Sequence, residues 1–475
     1  EIHWRDWSSD VCSSDLQVDH VLRASPARGL VLAADLEQAH GPILGSHGRA
    51  ARDVLLDRFE HPAFVVGVTF QHRSGHADGA YRLPEIMGGG AALFDMEGDG
   101  DLDLLLVQSG RLDGSDAGPR HRLFRNDGRA RFEDVTAGSG VDVPGYGMGV
   151  ATGDVDDDGD VDVYLTNLGA NVLLVNDGRG HFTNITVAAG VAGGGWSTSA
   201  AFADLDVDGD LDLLVARYVD WTPARERQCF ALTGVVDFCS PKTYDAPSSS
   251  LLFLNRGDGT FVDASARSGL TSAKGNGLGV VIDDVNRDGR PDVFVANDAT
   301  PNHLWINRGA ATFAESALTM GVAIDQDGAP KAGMGVHAAD VDDDGDRDLL
   351  VMNLDTESDS FYRNDGAFFV DATTMVGLRV ASRRFTRFGM AMIDFDDDGR
   401  LDLYEANGRV GLQGETLAAD PYAEPNLLFR GLAGAKFEEV TPRGGTASPL
   451  IATSRAAAFG DLDNDGGVDV VVANR

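Results

Sequence analysis

The 475-residue sequence predicts an all-β fold, a seven-bladed β-propeller of four-stranded antiparallel blades. Three observations predict it. A nine-residue acidic phrase, with Gly at position 6 and Asp at position 9, occurs seven times. Its copies start at Asp95, Asp154, Asp204, Asp284, Asp340, Asp394 and Asp461, at spacings of 59, 50, 80, 56, 54 and 67 residues. A strongly apolar run leaves each copy, and short β-rich runs with tight-turn signals follow it. A unit of this size cannot bury its apolar face alone. Closing the units into a ring removes the end faces that an open solenoid would expose.

The elements of one unit follow in order. A Gly-rich approach comes first, as in Gly147-Met-Gly-Val150, Gly277-Leu-Gly-Val280 and Gly333-Met-Gly-Val336. A short strand of small residues comes next (150–153, 200–203, 456–459), and small side chains suit a strand crowded against its symmetry mates around an axis. After the acidic phrase the second strand is expected at 102–107, 161–165, 211–216, 293–296, 349–352, 401–404 and 468–473. The third strand ends in Asn-Asp-Gly (126–128, 176–178, 364–366) or Asn-Arg-Gly (255–257, 307–309). Asn and Gly tolerate positive φ, so these read as hairpin turns. The fourth strand is expected at 132–136, 182–186, 261–265 and 437–441.

The phrase also predicts a metal-binding loop in each blade. Acidic residues at positions 1, 3, 5 and 9 converge on one centre, and the Gly takes the sharp bend. Such carboxylates repel one another unless a cation sits among them, and Ca²⁺ accepts six to eight hard oxygen ligands in irregular geometry. The candidate ligands are Asp95, Glu97, Asp99 and Asp103; Asp154, Asp156, Asp158 and Asp162; Asp204, Asp206, Asp208 and Asp212; Asp284, Asn286, Asp288 and Asp292; Asp340, Asp342, Asp344 and Asp348; Asp394, Asp396, Asp398 and Asp402; and Asp461, Asp463, Asp465 and Asp469. Up to seven Ca²⁺ are expected. The fourth loop is expected to be the weakest, because Asn286 replaces an acid and Arg287 and Arg290 flank it. EF-hand loops share the opening of this phrase but need a bidentate Glu at position 12 and flanking helices. Position 12 here is Leu165, Val215 or Val351, inside apolar runs.

The formal net charge is −36, and 34 acidic residues lie within the seven loops. Seven bound Ca²⁺ would bring the charge to −22, which still repels nucleic acid and anionic membranes. No apolar run reaches the length of a membrane span. The apolar fraction of 43% is that of a globular chain.

Residues 1–16 resemble translated adapter sequence and are set apart from fold reasoning. Residues 17–60 carry weak helical patterns at 33–39 and 50–59 and no assigned role. The propeller is expected over 61–475, with 64–70 supplying an outer strand of the last blade. The chain stops after the second strand of the seventh unit, so that blade is expected to be incomplete. An insertion at 218–250 lengthens the third unit and is expected to protrude from one face. It holds Cys229 and Cys239, ten residues apart, which read as one disulfide or, alternatively, two free thiols.

The repeated unit resembles the FG-GAP or VCBS repeat of integrin α-subunit propellers. Several segments are similar to the bacterial relatives of cartilage acidic protein, the ASPIC/UnbV-containing proteins: Leu83-Pro-Glu-Ile-Met-Gly-Gly-Gly90, Phe238-Cys-Ser-Pro241, Val295-Ala-Asn-Asp-Ala-Thr-Pro-Asn302 and Glu405-Ala-Asn-Gly408. The resemblance implies a secreted, periplasmic or cell-surface Ca²⁺-binding propeller. It also implies a C-terminal ASPIC/UnbV domain, which is absent here, in keeping with a truncated chain.

The function expected from these features is a binding or adhesion scaffold that presents a propeller face to a protein or glycan. No nucleophile elbow, HExxH or phosphate-cradling loop is present, so no catalytic residue and no organic cofactor are assigned. The alternative is a polysaccharide lyase or hydrolase with a face pocket. His72, His76, Arg82, Arg217, Arg384 and Arg387 converging on one face would mark it. Trp196, Trp221 and Trp305 read as packing residues rather than sugar platforms.

Overall fold

The computed structural model describes residues 31–34, 67–76, 79–112, 120–412, 416–441 and 449–475. Six four-stranded antiparallel blades are built in chain order, innermost strand first. Blade 1 comprises Ala91–Phe94, Asp103–Leu106, Arg122–Asn126 and Phe132–Asp134. Blade 2 comprises Gly147–Gly153, Asp162–Asn167, Val172–Asn176 and Phe182–Asn184. The inner strands of blades 3 to 6 are Ser197–Ala203, Gly277–Asp283, Val336–Ala339 and Arg387–Ile393. In each blade the second strand begins on the position-9 Asp of the loop, as at Asp162–Asn167 and Asp212–Arg217.

The expectation of seven four-stranded blades is corrected to six. In the seventh unit Ser454–Gly460 pairs antiparallel with Asp469–Asn474, and the outer edge of that pair is taken by Val31–Ala34 running parallel. The outer strand expected at 64–70 does not form within the described residues 67–70. Val68 and Phe70 instead pack as irregular chain between blade 1 and the seventh sheet, against a cluster holding Phe132, Ala458 and Val471. Their side chains find an apolar seam without needing a ladder. The helical pattern at 33–39 is corrected at its first two residues, which belong to the parallel strand. Residues 1–16 and 50–59 lie outside the described residues.

The inner strands pack side by side in sequence, and Ser454–Gly460 packs on Ala91–Phe94, which closes the ring. Small residues are required there. A Cβ on Gly279 would lie 2.3 Å from the Met334 carbonyl oxygen, and one on Gly389 would lie 2.5 Å from the Ala457 nitrogen. The Gly-rich approach is thus part of the strand itself, with a bulge between Gly147 and Gly149 and again between Gly277 and Gly279. Apolar clusters fill the seams between successive blades, such as Leu214, Val280 and Trp305 between blades 3 and 4.

Antiparallel order places the loop between the first and second strands at the same end of the blade as the turn between the third and fourth. All acidic loops therefore share one face, and the insertion, between the second and third strands of blade 3, lies on the other. Its hairpin tip, with Phe230, Leu232 and Val235, stands exposed as expected, while the body of the insertion packs down against the ring. It runs flat across the mouth of the ring, because its apolar residues Trp221 and Phe238 are buried against Ile86, Tyr146 and Tyr422. Asp237 anchors the far end on blade 6, accepting the Tyr422 hydroxyl at 2.9 Å and the Leu412 N–H at 2.6 Å. Cys229 and Cys239 are joined as a disulfide across the short hairpin Cys229–Phe230 and Val236–Asp237.

Candidate metal centres in the acidic loops

The loops share one wiring diagram. The position-1 carboxylate accepts backbone N–H groups from its own loop: Asp154 takes those of Asp158 and Gly159, at 3.1 and 2.9 Å. Asp95, Asp204, Asp284, Asp340, Asp394 and Asp461 do the same. The position-5 carboxylate accepts the N–H of position 7, as Asp158 does from Asp160 and Asp208 from Asp210. Asp99, Asp288, Asp344, Asp398 and Asp465 repeat it. These bonds hold the carboxylates in place while leaving lone pairs toward the loop centre.

Position 9 is the keystone. Asp162 is fully buried and accepts the Val155 N–H on one oxygen and the Asn176 N–H on the other, at 2.9 and 2.8 Å. Asp103, Asp212, Asp348 and Asp402 bond in the same way to their own loop and to their own third strand. Asp292 bonds to Asn307 and Asp469 to Leu462. Burial pushes these carboxyls up, Asp162 to about 8 and Asp103, Asp212, Asp292, Asp348 and Asp402 to about 7, against the pull of the backbone N–H groups.

Position 3 is different. One oxygen each of Asp156, Asp206, Asp342, Asp396 and Asp463, and of Glu97 in the first loop, is buried with no hydrogen-bond partner. Burial, then the charges of Asp158 and Asp154, raises the Asp156 pKa above the usual carboxylate range. An orphaned buried carboxylate oxygen is costly unless a cation or proton meets it. The donor set is all oxygen and irregular, which fits a hard cation such as Ca²⁺.

The loops are not equal. Ligand atoms of Asp154, Asp156 and Asp162 lie within 4.8 Å of one another, as do those of Asp204, Asp206 and Asp212, and of Asp394, Asp396 and Asp402. In the fifth and seventh loops the gathered trios are Asp340, Asp342 and Asp344, and Asp461, Asp463 and Asp465. Among the described residues the first and fourth loops show no such trio. In the fourth, Asn286 spends its side-chain oxygen on the Asp288 N–H, and Arg290 pairs with Asp288.

Five segments, 95–165, 154–215, 234–295, 284–351 and 340–405, match the model of the FG-GAP-like repeat and together cover more than half of the chain. The chain belongs to the FG-GAP-like repeat family. Human cartilage acidic protein 1 is 30% identical over 195 residues, which are 39% of this chain and 27% of that protein. The Xenopus tropicalis protein of the same name is 28% identical over 204 residues, 39% of this chain and 28% of its own length. The match thus spans about a quarter of these relatives. Among solved structures, an Agrocybe aegerita lectin that recognises non-reducing terminal N-acetylglucosamine is 15% identical, with a TM-score of 0.42, over 80% of this chain and 84% of that one. A TM-score that low is a loose likeness of shape.

Two features of the FG-GAP-like loops escape the sequence reading. The first is the Asn that ends the third strand, read there as a turn residue. Its side chain reaches the preceding blade: Asn176 donates to the Met96 carbonyl at 2.8 Å, and Asn255, Asn307 and Asn364 donate to Val155, Leu205 and Val285. Asn126 donates to Leu462 of the seventh unit at 2.8 Å, so the same clasp closes the ring. Its recurrence at the end of five of the six third strands was the available signal. The second is a positive φ at position 4, held by Asp157, Arg287, Asp343, Asp397, Asn464 and Val207. Val207, at φ 64°, is β-branched and over half exposed. Val207→Asn is expected to raise stability by about 1 kcal/mol, read as a higher denaturation midpoint at constant slope. An unchanged or lower midpoint would refute the strain.

The residues that would mark a catalytic face do not converge. His72 is buried against the Ser109 hydroxyl at 3.0 Å, and burial, then Arg475 and Arg455, lowers its pKa to about 3. His76 and Arg82 both pair with buried Glu85, at 2.9 and 2.8 Å. Arg217 donates to the Ser249 carbonyl, Arg384 pairs with Glu439, and Arg387 is fully buried on Asp359. Trp196 and Trp305 are core residues, and the Trp221 indole donates to Glu226 at 2.7 Å. Trp221 also helps line a cavity of about 490 Å³ with Tyr146, Leu112 and Pro144, but none of the six marker residues reaches it.

Proposed function

We propose that this chain is an extracytoplasmic, Ca²⁺-stabilised propeller that binds a partner protein and performs no chemistry of its own. The observation that carries the reading is the buried position-3 carboxylate oxygen without a hydrogen-bond partner, repeated at Glu97, Asp156, Asp206, Asp342, Asp396 and Asp463. Compartments outside the cytoplasm supply millimolar Ca²⁺ and favour disulfides such as Cys229–Cys239. In this chain the four oxygen donors of a loop, for example Asp154, Asp156, Asp158 and Asp162, would hold the ion, which supplies the positive charge they share.

The binding face is the one that bears the insertion. At its tip Phe230, Leu232 and Val235 are 59%, 101% and 53% exposed, on a hairpin held by the disulfide. Three apolar side chains on a pinned turn favour a protein surface over a sugar. The candidate test screens the full chain against arrays of secreted proteins and of glycans, with Ca²⁺ and with chelator. Protein hits that need Ca²⁺ and are lost in Phe230→Ser/Leu232→Ser are expected. Glycan hits unaffected by that variant would overturn the assignment of the tip.

A further inference from the structure

We propose that the sixth acidic loop carries its own cation, a pair of arginine guanidinium groups, and takes no Ca²⁺. The inference rests on the calcium reading of the other loops and departs from it at this one. The loop reads Asp394-Phe-Asp-Asp-Asp-Gly-Arg-Leu-Asp402, with the required acid at positions 1, 3, 5 and 9. It is as complete as the second loop: Asp394, Asp396 and Asp402 gather as Asp154, Asp156 and Asp162 do, and one Asp396 oxygen is buried without a hydrogen-bond partner, so the difference lies at the other Asp396 oxygen.

The third strand of its blade decides otherwise. The residue before the clasp position is Val175 in blade 2, Leu254 in blade 3 and Ile306 in blade 4, but Arg430 in blade 6. The Arg430 guanidinium lies 2.9 Å from a carboxylate oxygen of Asp396 and 2.9 Å from one of Asp398. Arg400, at position 7, adds a second guanidinium to Asp398. The two carboxylates they engage are well shielded, with side chains 6% and 17% exposed. Blades 1 and 5 also have an Arg at this place, and neither uses it so. Arg125 pairs with Glu133 and stays 3.9 Å from Glu97, while Arg363 turns out to Asp365. The clasp residue itself is Gly431 in blade 6, which leaves the strand backbone but no amide side chain over the loop.

Charge makes the difference between the loops large. The sixth loop has five acids, and two guanidinium groups neutralise two of them, leaving a charge of −3. The second loop has six acids and no arginine within it. A divalent ion entering the sixth loop would have to displace the charge-assisted contacts that one nitrogen of Arg430 makes to Asp396 and Asp398 and one of Arg400 makes to Asp398, and then sit beside the displaced cations. The third and second loops ask nothing of the kind.

The test counts bound Ca²⁺ per full chain by equilibrium dialysis and follows melting in chelator. Asp156→Asn is expected to lose one ion relative to wild type and Asp396→Asn none. Arg430→Met is expected to melt lower than wild type in chelator and to regain the difference when Ca²⁺ is added, because the vacated carboxylates then accept the ion. Loss of one ion by Asp396→Asn overturns the proposal, and so does a melting temperature in chelator that Arg430→Met leaves unchanged. If wild type binds no Ca²⁺ at all, the calcium reading fails as a whole. The chelator melting of Arg430→Met then still decides whether the guanidinium holds the loop.

Discussion

Millimolar Ca²⁺ is expected to raise the melting temperature of this chain by on the order of 10 °C over the same chain in chelator. Extracellular modules bind Ca²⁺ with Kd of about 10⁻⁴–10⁻³ M. At 5 mM a single site of that affinity stabilises the native state by about 1–2 kcal/mol. Four gathered trios outside the sixth loop would contribute about 4–9 kcal/mol, comparable with the whole stability of an ordinary domain. The same measurement has a pH signature. Without the ion, the position-9 carboxyls titrate near 7–8 in the fold, well above about 3.9 in the unfolded chain. A raised folded pKa gives stability that is present at low pH and is lost as pH rises through the folded value. The chelated protein should therefore melt higher at pH 5.5 than at pH 8, and Ca²⁺ should shrink that gap by replacing the proton. Equal melting with Ca²⁺ and chelator at pH 8 would remove the metal from the structure's accounting.

Asp162→Ala is expected to cost about 2–6 kcal/mol even when no cation is present. The substitution strands two buried N–H groups, those of Val155 and Asn176, each worth about 1–3 kcal/mol when left unpaired. It also frees the strand end that carries the Asn176 clasp to Met96 in blade 1, so the damage crosses a blade seam. Asp156→Ala makes the opposite case. Its buried oxygen has no partner to lose, so its removal should be nearly neutral in chelator and should cost stability only in Ca²⁺. Denaturant titrations at pH 6, in chelator and in Ca²⁺, separate the two. Equal losses for both variants in chelator would mean that positions 3 and 9 play one role.

Much of this architecture was legible in the chain. The acidic phrase set the repeat, the apolar runs marked the second strands, and the small residues marked the axis, because each of these is a local pattern with a local cause. The candidate ligand positions rest on the same kind of pattern: alternation along a turn and a Gly at φ near 90° need no distant partner. The fourth loop's departure from the pattern was legible too, since Asn286 and Arg290 lie inside the phrase itself.

Other features needed the tertiary structure, because their cause lies far along the chain. Asn176 meets Met96 across 80 residues, and Asn126 meets Leu462 across 336, so an Asn-Asp-Gly turn signal conceals a clasp between blades. Val31–Ala34 takes the open edge of the seventh sheet, although nothing near it announces a strand partner. The insertion lies down across the ring mouth because Trp221 and Phe238 find an apolar floor made by other blades. Arg430 sits 34 residues beyond Asp396 and is an ordinary strand residue until folding lays it on that loop. The sequence alone determined which residues could gather a cation. Which loops keep room for one was decided by what the neighbouring strands bring to them, since electrostatic neutrality is settled by proximity in space and not along the chain.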